Sequence, residues 1–158
     1  MTVVRKYTLI APLSLSIALL VTGCGEKKAS QCQRLIQVVD QGSSLIDTNK
    51  GKQVTTSLQL SKDLAAVTKS LEEMNLSDPK LKEFQSSFVK IFQNLSQAIA
   101  KAATALNVAK TAEATPDGRQ KIQKAKTEID SALTSAKTTA QESDTLRNQL
   151  NQYCTQPE

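Results

Sequence analysis

Between Pro79 and Ala112 two sets of apolar or small residues recur every seven positions, and this double seam constrains the fold more than any other feature of the chain. One set is Leu81, Phe88, Leu95, Ala102 and Ala109; the other is Phe84, Ile91, Ala98, Ala105 and Ala112. Phe92, Ile99 and Leu106 widen the seam on one side. A seven-residue repeat holds one stripe of an α-helix against its neighbours in a left-handed bundle, so this stretch predicts a long packed helix. Thr115-Pro116-Asp117 ends it and caps a second long helix reaching about Tyr153. Ile122, Ala125, Ile129, Ala132, Ala136, Leu146, Leu150 and Tyr153 give that helix a similar face, with Thr139 and Ser143 in two core-type positions.

Two shorter helices precede this pair. The first is expected over Gln31 to Thr48, where Cys32, Leu35, Ile36, Val39 and Ile46 recur at helical spacing and Val38 and Leu45 broaden the stripe. Gly42 lies inside it and is either a close-packing point or a break, since glycine costs a helix about 1 kcal/mol. Asn49-Lys50-Gly51 is a turn signal. The second helix is expected over Lys52 to Asn75, burying Leu58, Leu64, Val67, Leu71 and Met74, with Lys62, Lys69 and Glu72 in water. In Ser77-Asp78-Pro79 either Ser77 or Asp78 can cap the next helix, and proline is tolerated in its first turn.

Composition agrees with an all-helical reading and narrows the chemistry. Glycine (five) and proline (four) are scarce and tryptophan is absent, while Ala, Lys, Gln and Leu are abundant. The chain has no histidine, which removes the commonest general base and the commonest metal ligand together. Glu72 and Glu73 are adjacent carboxylates that diverge around a helix and do not share a site. No glycine-rich phosphate loop and no metal-ligand spacing appear. The sequence therefore points to no catalytic residues, no metal and no cofactor.

The N-terminus is built like a secretory signal. Arg5 and Lys6 precede an apolar run from Leu9 to Val21, and small residues Thr22 and Gly23 lead into Cys24. Leu20-Val21-Thr22-Gly23-Cys24 resembles the lipobox of bacterial lipoproteins, in which the cysteine becomes the lipidated first residue. The resemblance implies a signal peptide over 1–23, an acylated Cys24 and a tether over 24–30, ahead of a domain over 31–154 and a tail over 155–158. It implies a membrane partner through that lipid, and export to the periplasm or cell surface. An uncleaved span is the first alternative, but the run falls short of the roughly 20 residues a bilayer core requires. Ordinary secretory cleavage, leaving Cys24 a free thiol, is the second. Beyond residue 23 there are 18 basic and 15 acidic side chains, a net +3 too small to argue for nucleic acid.

With Cys24 acylated, Cys32 and Cys154 remain as a structural disulfide or a redox or metal pair. The structural reading fits the helix count. First and last residues of an up-down bundle share an end only when the number of helices is even. The expected fold is thus an antiparallel, up-down four-helix bundle whose third and fourth helices, about 35 and 38 residues against about 18 and 24, project as a hairpin of about Ala102 to Lys126.

Two surface candidates remain. Phe84, Phe88 and Phe92 stand four apart and either fill the core or line a groove for an apolar ligand. Arg119, Lys121, Lys124 and Lys126 form a basic run whose charge opposes the dipole of its own helix, so it is either a solvated face or a contact for an acidic partner. The fold and anchor are similar to those of small cyanobacterial lipoproteins that dock on photosystem II as four-helix bundles. That likeness implies a non-enzymatic contact protein with a protein partner; the alternative is a carrier of an apolar ligand in the bundle core.

Overall fold

The computed structural model describes residues 26–49 and 54–156. The signal segment, Cys24, the Lys50-Gly51 turn and the last two residues lie outside the described residues. Four helices make up the described chain: α1 (Lys28–Asn49), α2 (Val54–Glu72), α3 (Pro79–Thr111) and α4 (Pro116–Thr155). None of them is long and apolar enough to cross a membrane.

Helix ends follow from local hydrogen bonding. α1 begins earlier than its periodicity indicates, because the Lys27 carbonyl accepts from the Ser30 and Gln31 amides. α2 ends before Asn75, where Leu76 turns inward and is buried. The Gln85 side chain then donates to the Leu71 and Met74 carbonyls, taking acceptors that a further helical turn would have used. Asp78 rather than Ser77 caps α3, its Oδ1 accepting from the Leu81 amide at 2.9 Å. Thr115 caps α4 through the Gly118 amide at 3.0 Å.

The ends also fix the topology. Cys32 near the start of α1 is bonded to Cys154 near the end of α4, across 122 residues. Gln31 meets Ser77 between α2 and α3, and Tyr153 meets Asp78. The starts of α1 and α3 and the ends of α2 and α4 therefore share one end, and the fold is an antiparallel, up-down four-helix bundle. α3 packs extensively on both α2 and α4, whereas α1 rests more lightly on the other three.

The core is aliphatic and aromatic: Leu35 and Val39 of α1, Leu60, Leu64, Val67 and Leu71 of α2, and Leu81, Phe88, Phe92 and Leu95 of α3, closed by Leu150. Each such side chain contributes about 1.5–3 kcal/mol on burial. Gly42 does not break α1. A Cβ there would lie 2.5 Å from Cζ of Phe92, so glycine is what lets α1 approach α3. Three residues of the expected apolar faces lie outside: Leu58, Leu106 and Ile122. Leu58 is 38% exposed, because the inward stripe of α2 runs through Leu60, Leu64, Val67 and Leu71. Ile122 is 43% exposed, for a reason that lies in helix length.

α1 and α2 have 22 and 19 residues, α3 and α4 have 33 and 40. Cys32 opposite Cys154 and Asp40 opposite Arg147 set the register of α1 against α4, which puts Asn49 about level with Thr138. From there to Pro116, α4 runs on for about 30 Å with α1 gone. The far part of α3 and α4 stands out as a two-helix hairpin.

Candidate functional site

The shared end of the bundle is tied by more than the disulfide. Gln31 is buried, and its amide makes four hydrogen bonds: Nε2 donates to the Glu26 carbonyl and to Ser77 Oγ, and Oε1 accepts from the amides of Ser77 and Asp78. Asp78 caps α3 with one oxygen and accepts from the Tyr153 hydroxyl at 2.9 Å with the other. Lys28 lies 4.1 Å from the Tyr153 ring centre. Desolvation works to raise the Asp78 pKa, but the Leu81 amide, the Tyr153 hydroxyl, the Lys80 amide and the Lys28 charge outweigh it and hold it low. The hydrogen bond to Asp78, then burial and the carboxylate's charge, raise Tyr153. Arg34 and Ser30 hold Glu26 below the usual carboxylate range.

Phe84, Phe88 and Phe92 come together as the sequence suggests, but inside. Phe88 and Phe92 are wholly buried and lie 6.2 Å apart, stacked. Phe84 meets Tyr153 at 6.0 Å and edges a shallow groove of about 360 Å³ with Lys80, Leu146 and Gln149. A wider groove of about 760 Å³ runs between α1 and α4 beside the disulfide, past Ile36 and Asp40. Among the described residues no cluster of His, Cys, Asp and Glu could hold a metal ion.

At the opposite end the hairpin is sewn together by small residues. On α4, Gly118, Ala125, Ala132 and Thr139 repeat every seven positions and are buried to the tip. On α3, Ala98 and Ala105 answer them. Gly118 is required there, since a Cβ would collide with the Glu113 carbonyl.

A second column of α4 behaves differently. Leu150 and Ser143 are buried, Ala136 and Ile129 are half-buried, and Ile122 is 43% exposed, so the column is uncovered step by step toward the tip. On α3 the same happens from Phe92 through Ile99 to Leu106, which is 38% exposed. Both columns face the bundle axis, and both lose their cover where α1 and α2 stop.

The basic run divides. Arg119 and Lys126 belong to the heptad column Arg119, Lys126, Leu133, Ala140, Arg147 and Cys154, which faces α1 lower down. Lys121 and Lys124 lie on the other flank, in line with Gln149 and with Thr138 and Thr145. All four are exposed, and none pairs with a carboxylate of the described residues. Sequence reasoning missed Gln31, which carries no periodic mark. It also missed Arg147, although its spacing of seven from Cys154 was a usable sign. Compared with family models, curated proteins and solved structures, the chain matches none.

Proposed function

We propose that the protein is an exported, lipid-anchored, non-enzymatic contact protein that holds a partner at the end opposite its anchor. The observation that carries this reading is the hairpin. A body closed by a disulfide and a buried core supports two helices that extend well past it and end in exposed basic and apolar side chains. The lipobox-like segment supports the anchor, since Glu26 lies two residues after Cys24 and belongs to the disulfide end. Complete burial of Phe88 and Phe92 favours contact over carriage, because the space a core ligand would take is filled by the protein's own rings.

Native mass spectrometry of the full chain extracted in mild detergent tests this. A bound protein supports the reading, and a bound small apolar molecule favours the carrier. A variant lacking Ala105 to Lys121, closed by a short linker, should keep the Cys32–Cys154 bond and lose the bound protein. Retention of that protein would place the contact elsewhere on the molecule.

A further inference from the structure

The uncovered ends of the two columns, Leu106 on α3 and Ile122 and Ile129 on α4, form one strip on the axis side of the hairpin, and Leu133 of the neighbouring Arg119 and Lys126 column borders it. Leu133 is the most open of them, at 58%. The strip lies in the step left where α1 ends, and that step is about one helix diameter deep, roughly 10 Å. We propose that it docks an acidic amphipathic helix of a partner protein, lying end to end with α1. The inference rests on the contact reading above and names the surface and the chemistry of the partner.

α1 itself shows what such a helix requires. In the body, α4 offers Arg147 from the column that faces α1, and α1 answers with Asp40 at 2.7 Å. Arg119 and Lys126 are members of that same column, four and three heptads from Arg147, past the point where α1 can answer them. A helix continuing the line of α1 meets them with two carboxylates seven residues apart and lays its apolar stripe on Ile122, Ile129 and Leu133. From Arg119 to Leu133 the strip is about 21 Å long, room for roughly four helical turns.

Charge selects the occupant. Residues 101–126 hold six basic and two acidic side chains, a net +4, while everything else after residue 23 sums to −1. A second copy of the hairpin would bring like charges together. A flat lipid surface cannot reach the floor of a step bounded by α1 and α2. Residues 50–53, Lys-Gly-Lys-Gln, have no apolar side chain to lay on the strip.

Photo-crosslinking in native membranes tests the proposal on the full chain. Benzoylphenylalanine is placed at Ile122 in one variant and at Lys124, on the outer flank, in another. The crosslinked segments are mapped by mass spectrometry, and each variant is checked for helicity and for the Cys32–Cys154 bond. The Ile122 probe should mark a helix of another protein carrying acidic residues seven apart. R119E/K126E should lower that yield about tenfold, while K121E/K124E changes it less than about twofold. Capture of lipid, of a second copy, of residues 1–25 or of a segment without such acids overturns the proposal, as does a yield indifferent to R119E/K126E. A protein captured only at Lys124 removes the strip and leaves the contact reading standing. No protein at either position removes both.

Discussion

Gln31 shows how one side chain can hold a corner that no hydrophobic pattern marks. Its amide satisfies the turn before α3 and the Glu26 carbonyl, two residues ahead of α1, at once. Gln31→Ala leaves those groups to find other partners and should cost about 1–3 kcal/mol in urea unfolding. Gly42→Ala should also destabilise, by about 1–3 kcal/mol, because the added methyl drives into the buried Phe92 ring and overrides alanine's better helix propensity. A stabilised G42A would show that the ring yields freely. The Tyr153–Asp78 contact adds a pH dependence with two arms. Asp78 is held low, so its contribution is present above the ordinary value of 3.8 and is lost as pH falls through the lowered one. Tyr153 is held high, so its contribution is complete below 10.0 and is lost as pH rises through the raised value. Tyr153 is the only tyrosine after residue 23, so tyrosinate absorbance of the processed chain should titrate above 10.0. Titration at or below that value would mean the hydroxyl is free of Asp78. At this scale the sequence was legible where a residue type has few common uses, as with Cys32 and Cys154, and it narrowed the cap of α3 to Ser77 or Asp78 without choosing between them. It was not legible for Gln31, whose partners are brought to it only by the fold.

Among the elements, α3 was the most readable because its seam is covered along most of its length, so each heptad position has a neighbour to record. Ile122 has no such neighbour. Periodicity states which side of α4 is apolar, but not whether another helix is there to cover it. That depends on where α1 stops, and the end of α1 is set by the Asp40–Arg147 register and the disulfide together. α2 was misread for a related reason. Leu58 continues its apolar content but sits off the stripe that Leu60, Leu64 and Leu71 define, and α2 meets only α1 and α3. The hairpin's buried seam beyond Ala98 is alanine, glycine and threonine, which supply much less buried area per turn than the Leu and Phe layers below. Amides around Ala105 and Ala125 should therefore exchange at lower free energy than those around Phe88. Equal protection along all of α3 would show the hairpin to be part of one cooperative body. Reducing the Cys32–Cys154 bond should act on the whole bundle, costing about 2–5 kcal/mol for a loop of this length.

At the scale of the whole molecule the proposed anchor and the proposed contact lie at opposite ends, and that separation can be tested. α4 has 40 residues, so about 60 Å lies between the disulfide end and the tip. Cys24 precedes the first described residue at the disulfide end, and the net positive charge, +4 over residues 101–126 against −1 for the rest after residue 23, lies toward the other. Two forces could hold such a protein on a membrane: acyl chains at Cys24, or attraction of the basic tip to anionic headgroups. They differ in salt dependence. Burial of an acyl chain is worth about 0.8 kcal/mol per methylene and is indifferent to ionic strength. Basic side chains near an anionic surface contribute about 1 kcal/mol each and are screened within about 10 Å at 0.1 M salt. On the lipid-anchor reading the wild-type protein stays with membranes through a high-salt wash, and Cys24→Ser either releases a cleaved chain or leaves the signal segment uncut. A Cys24→Ser chain that is cleaved yet still sediments with membranes would end that reading. Its release by salt would then assign membrane binding to the basic end, and the hairpin would be facing lipid rather than a partner helix.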